Sequence, residues 1–172
     1  MREVKSIKTK ESLEEVFSVV KEILRMEKSV RICLTGESMY PFIRNKLDIV
    51  ELSQVTFPEI IVSDIVLVLR NDGQYVLHRV VHKNRNHFYI NGDAQQWIEG
   101  PLRDNQLIAR MSAISRGKKW ISCHNFWWIF LSKIWVFLLP YRKHLFKILG
   151  YLAKINKYIR KLLMENLHKR CF

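Results

Sequence analysis

Hydrophobic and polar positions along the chain follow three successive regimes. In residues 12–28, Leu13, Val16, Phe17, Val20, Ile23 and Leu24 recur at the three- and four-residue spacing that lines one face of a helix. Ser12 followed by Glu15 forms a capping-box signature, since each side chain can satisfy a backbone N–H that the first helical turn leaves unpaired. This spacing predicts an amphipathic helix docked on the rest of the protein. From about residue 30 to residue 117, short apolar and β-branched runs take over, at 30–35, 47–52, 64–69, 75–81, 87–91 and 107–115. Turn formers separate them: Pro41 and Asn45, Pro58, Asn71-Asp72-Gly73, the stretch 84–86, and Gly92. Short strands at this spacing predict a mainly β domain, a small barrel or sandwich.

The third regime begins after Gly117. The apolar stretch 126–139 is only 14 residues long and contains Lys133, whereas a spanning helix needs roughly 20 apolar residues. Trp120, Trp127, Trp128 and Trp135 cluster here, as in the aromatic belt of a membrane interface. Pro140 breaks the run. Beyond it, Leu145, Ile148, Leu149, Leu152, Ile155 and Ile159 form an apolar stripe within 142–170, with Lys147, Lys154, Lys157, Arg160 and Lys161 filling much of the remainder. A basic amphipathic helix of this kind lies in the plane of an anionic membrane; packing on the protein's own core or on a partner is the alternative. The expected organisation is an N-terminal helical segment over 1–29, a β domain over 30–117, and a basic, apolar helical extension over 118–172.

Charge sharpens this division. The chain carries a formal +13. Residues 118–172 hold 12 basic side chains against one acid, Glu165, while the first 117 residues hold 17 basic and 15 acidic ones. An imbalance so confined points to an anionic partner for the extension. The tryptophan and apolar content favours lipid, so membrane association through the C-terminal segment, at the cell membrane, is expected, and nucleic-acid binding is not. Residues 1–12 are charged and no apolar run follows, so neither a secretory signal nor an N-terminal anchor is expected. Cys33, Cys123 and Cys171 are far apart and odd in number, which fits free thiols better than a disulfide framework or a zinc ribbon.

The chemistry concentrates at three polar punctuations. The first is Gly36-Glu37-Ser38-Met39-Tyr40-Pro41, a glycine and a proline flanking a serine at a strand–turn junction. Such a serine can face solvent with adjacent backbone N–H groups free, the parts of a nucleophile with an oxyanion hole. The second is His78-Arg79, within a strand pattern, and the third is Asn91-Gly92-Asp93-Ala94, after another short strand. His78 and His82 do not suggest a metal site: four residues along a strand span roughly 13 Å, too far for one ion. No metal and no cofactor is expected.

In order and spacing these motifs resemble the signal peptidase I superfamily, which includes the LexA-type self-cleaving repressors. The resemblance covers about residues 33–117. Ser38-Met39 with Pro41 is similar to the family's nucleophile motif. Leu47-Asp48-Ile49-Val50 and Ser63-Asp64-Ile65-Val66 resemble its two G-D-hydrophobic-V strands, with Lys46 and Ser63 standing where the family usually carries glycine. His78-Arg79 resembles the general-base motif of the endoplasmic-reticulum and SipW types, where other members use lysine. Gly92-Asp93-Ala94 resembles the last motif, whose usual second acidic pair is reduced to Ile98-Glu99.

The resemblance implies a signal-peptidase-like β domain and a serine endopeptidase that cuts signal or leader peptides. Ser38 would attack the peptide carbonyl and His78 would act as general base and acid. Asp93 would orient His78 or hold the site's geometry, with Glu99 the weaker candidate. Gly36 would lie in the oxyanion vicinity, and Met39 would line the pocket for the small residue before the cut. The substrate partner would be a peptide or protein bearing a leader segment. A non-catalytic or regulatory LexA-like β module, with its basic tail on membrane or nucleic acid, is the alternative.

Overall fold

The computed structural model describes residues 10–26, 29–144 and 147. The chain divides into two compact units, Met1–Val136 and Phe137–Phe172. Except for 142–144 and 147, the basic helix expected over 142–170 lies outside the described residues.

In the first unit, helix α1 (Lys10–Arg25) precedes eight strands: β1 (Val30–Cys33), β2 (Ile49–Ser53), β3 (Ile65–Leu69), β4 (Tyr75–Lys83), β5 (Phe88–Asn91), β6 (Glu99–Leu102), β7 (Leu107–Arg116) and β8 (Lys119–Ser122). All pairings are antiparallel, in the order β1-β2-β7-β3-β4-β5-β6. β3 pairs with the first part of β7 and β8 with its last part. The six expected strands are present. β6 and β8 were not expected, and β8 falls in the stretch read as the start of the extension.

The expectation of a barrel is corrected. The four-residue strands β1 and β6 end the order without pairing to each other. Closure requires the two edges to meet at a matched tilt and stagger; here the sheet stays open. Its apolar side chains serve both faces. Ile65 and Leu67 of β3 belong to one cluster with Val20 and Leu24 of α1, Met39, Val50 and Ile114. Val66 and Val68, the alternate residues, belong to a second cluster with Val80, Phe88 and Ile90. The period-2 geometry of a strand accounts for this split, and for why 64–69 reads as a continuous apolar run. Burying each such side chain contributes about 1.5–3 kcal/mol.

After β8, Asn125 starts helix α2 (Phe126–Phe137), its side-chain oxygen accepting the Trp127 N–H at 2.9 Å. Among the described residues no helix is long and apolar enough to cross a membrane. In the second unit, Leu139–Tyr141 form a 3-10 turn.

Candidate active site

The serine-bearing turn is built by its own backbone. Tyr40 N–H donates to Glu37 C=O at 3.1 Å and Ile43 N–H to Met39 C=O at 2.9 Å. Gly36 has φ +121°, a region that a side chain disfavours, and its N–H donates to Asn45 Oδ1 at 3.1 Å. Met39 is buried in the first apolar cluster and anchors the turn from below, while Ser38 is half-buried. Asp48 clamps the far end. Its carboxylate accepts the Arg44 N–H at 2.9 Å and the Arg44 guanidinium at 2.7 Å. Arg116 donates to Phe42 C=O at 2.7 Å. Burial works to raise the Asp48 pKa, but hydrogen bonds from Arg44 and the charges of Arg44 and Arg116 outweigh it and hold the carboxyl below its ordinary value.

His78 and Arg79 are adjacent on β4 and both are buried. Alternation sends them to opposite faces. Arg79 makes a bidentate pair with Asp93, at 2.8 and 2.7 Å, with both side chains wholly inaccessible to solvent. It also donates to Ser63 C=O at 2.9 Å and lies 4.3 Å over the Phe42 ring. Arg79 thus joins the loop after β5 to the serine turn. His78 meets Glu99 of β6 instead: Nδ1 stands 3.2 Å from Oε1, an ion-pair separation short of an aligned hydrogen bond. Glu99 is itself gripped by the Arg70 guanidinium through both carboxylate oxygens.

Burial dominates the electrostatics of His78 and lowers its pKa below the ordinary imidazole value. Glu99 opposes that shift, Arg70 adds to it, and Asp93 opposes it more weakly. A neutral ring with its proton on Nδ1, facing Glu99, leaves the Nε2 lone pair available to take a proton.

Arg79 pairs with Asn91, the last residue of β5, and Gly92 opens the loop that follows. A Cβ at Gly92 would meet Ser38 C=O at 2.8 Å, and that same carbonyl accepts the Ala94 N–H at 2.8 Å. Ser38 C=O therefore packs on the loop that follows β5, against Gly92, where an added Cβ would force Gln95 or the turn to shift. Among the described residues no hydrogen bond joins the Ser38 hydroxyl to His78, and none engages the Ser38 N–H.

Of the residues singled out in the sequence, Ser38, Gly36 and Met39 share one turn, and Asp93 lies in the loop that touches it. Asp93 is engaged by Arg79, and the carboxylate beside the imidazole is Glu99. Sequence reasoning gave Arg79, Arg70 and Phe42 no separate part. An arginine inside an apolar strand was the available signal for Arg79, since a buried guanidinium needs a carboxylate partner. Burial pushes the Cys123 thiol up to about 12, far from a thiolate nucleophile at neutral pH. Among the described residues no group of three or more His, Cys, Asp or Glu could hold a metal ion.

No protein-family model matches this chain, and no curated protein matches it either.

Proposed function

We propose that this protein is a serine endopeptidase of the signal-peptidase kind, cutting signal or leader peptides at a membrane surface with Ser38 as nucleophile and His78 as base. The observation that carries the reading is the seating of Ser38 C=O against Gly92 and the Ala94 N–H, in the loop that leaves β5, the strand paired with the His78-bearing β4. A buried imidazole of lowered pKa, with a carboxylate at Nδ1, suits a base that must be neutral near pH 7. Lys46 and Ser63 add support from the backbone. They stand where the resembling family usually has glycine, and they are the two non-glycine residues at positive φ, +56° and +88°, among the described residues.

In this mechanism the hydroxyl-to-imidazole hydrogen bond closes when substrate arrives. Ser38 Oγ attacks the scissile carbonyl as His78 Nε2 takes its proton. The Ser38 N–H stabilises the oxyanion, and Glu99 stabilises the imidazolium. His78 then protonates the leaving amine, and water, deprotonated by His78, releases the acyl group from Ser38.

The test is cleavage of a leader-bearing peptide with small residues at the cut, by the full chain with vesicles present. Ser38→Ala and His78→Ala each lower the rate by about 10³-fold or more while the near-UV circular dichroism is kept. Undiminished cleavage by Ser38→Ala rules the reading out.

A further inference from the structure

Helix α2 has two unlike faces. On one, Trp128, Ser132 and Trp135 turn inward. Trp128 packs edge-on against Phe42 at 5.5 Å between ring centres and Trp135 lies 5.7 Å from the same ring. On the other, Phe126, Trp127, Phe130, Leu131 and Ile134 are exposed, Phe126 at 70% and Trp127 at 66%. Residues 126, 130 and 134, and likewise 127 and 131, stack at i, i+4, so these five side chains form one continuous apolar surface. A soluble protein rarely leaves such a surface uncovered.

We infer that this outer face of α2 seats in the interface of an anionic lipid bilayer, with its inner face holding the Ser38 turn at the membrane surface. Charge complementarity selects the occupant. Lys133 is exposed on the helix, Lys118 and Lys119 are exposed just before it, and residues 118–172 carry 12 basic side chains against one acid. Lipid headgroups of negative charge attract such a segment, and aromatic side chains favour the interface over the hydrocarbon centre. At 12 residues α2 is too short to span and suits lying flat. Phe42 is the joint: it touches Trp128, Trp135 and Arg79, so the membrane-seated helix bears directly on the turn that carries Ser38. The purpose of this docking rests on the peptidase reading, but its test does not.

The experiment is co-sedimentation of the full chain with sucrose-loaded vesicles of phosphatidylcholine, alone or mixed with phosphatidylglycerol, without peptide substrate. The wild type and Ser38→Ala bind the mixed vesicles equally and the neutral ones more weakly. Phe126→Ser/Trp127→Ser/Phe130→Ser binds the mixed vesicles about tenfold or more weaker. Should that variant fail to fold, bromolipid quenching takes its place, since bromolipid vesicles quench wild-type emission more than that of Trp127→Phe. Binding of the folded triple variant equal to wild type overturns the inference. Equal quenching of wild type and Trp127→Phe does so too, as does a lipid-free dimer that the triple variant dissolves. Vesicle binding without any peptide cleavage keeps the docking and removes the peptidase reading; cleavage without binding does the reverse.

Discussion

Nδ1 of His78 stands 3.2 Å from Oε1 of Glu99, and Arg70 holds that carboxylate from its other side. The contact joins strand β4 to strand β6 and sets the electrostatic balance of the buried imidazole. Glu99 raises the His78 pKa, while burial and Arg70 lower it. For a base that acts neutral, activity rises with pH through a pKa below the ordinary value of about 6.5 and is complete by neutrality. Replacing Glu99 with glutamine removes a raising influence, so the pKa falls further. The acidic limb of kcat/KM therefore moves to lower pH, while the plateau drops by about 10²–10⁴-fold because the imidazolium loses its counter-charge. A pH–rate series on wild type and Glu99→Gln checks this; an unmoved limb and plateau would leave Glu99 without a part in the reaction.

Arg79 and Asp93 give a different expectation. With both partners wholly buried, removal of one strands the other charge. Asp93→Ala is expected to lower unfolding stability by about 3–5 kcal/mol. Urea denaturation measures it. A loss of activity with stability intact would show that Asp93 acts on the imidazole and not as the bolt between loop and turn.

Gly92 is the contact on which the serine turn rests. A methyl group there would stand 2.6 Å from the Gln95 side chain, which can swing aside, and 2.8 Å from Ser38 C=O, which yields only if the turn moves. Gly92→Ala is expected to shift the turn and cut peptide cleavage by about 10²-fold, as misplacement of a reacting group by about 1 Å does. Gly117 serves as the control. It has nothing within 4 Å of its Cβ position, so Gly117→Ala leaves cleavage unchanged apart from backbone strain at φ +63°. Equal rates for wild type and Gly92→Ala would contradict the seating.

Ser63 stores backbone strain at φ +88°. Ser63→Gly relieves it and is expected to stabilise the protein by about 1 kcal/mol, net of the entropy glycine adds to the unfolded chain. Ser63→Val, branched at Cβ, is expected to destabilise. Thermal melts of the three proteins check the order; a Ser63→Gly protein less stable than wild type would mean that the serine side chain matters more than the torsion.

Periodicity made helix α1 and six of the eight strands legible, because alternation and 3.6-residue spacing reflect burial directly, whereas α2 stood out only as an apolar stretch. β6 escaped because Gly100 and Pro101 leave Glu99–Leu102 without an apolar alternation, yet this short strand at the sheet edge tolerates both residues. β8 escaped because Lys119–Ser122 merged into the apolar run that follows it. Openness of the sheet was hidden because strand number and spacing do not fix shear. At the site, Ser38, His78 and Asp93 stood out by residue type and order. The carboxylate partner did not, since Asp93 and Glu99 both follow β5 and only the path of the loop decides which one reaches Nδ1. The left-handed torsions at Lys46 and Ser63 were masked by side chains that normally avoid them.

The most direct measurement is mass spectrometry of the full chain after reaction with a peptidyl phosphonate bearing a small residue at its reactive end. One covalent adduct is expected, located on Ser38, forming faster as pH rises through the depressed His78 pKa and about 10²-fold or more slowly in His78→Ala. An adduct absent from Ser38, or formed there at the same rate without the imidazole, would contradict the peptidase reading.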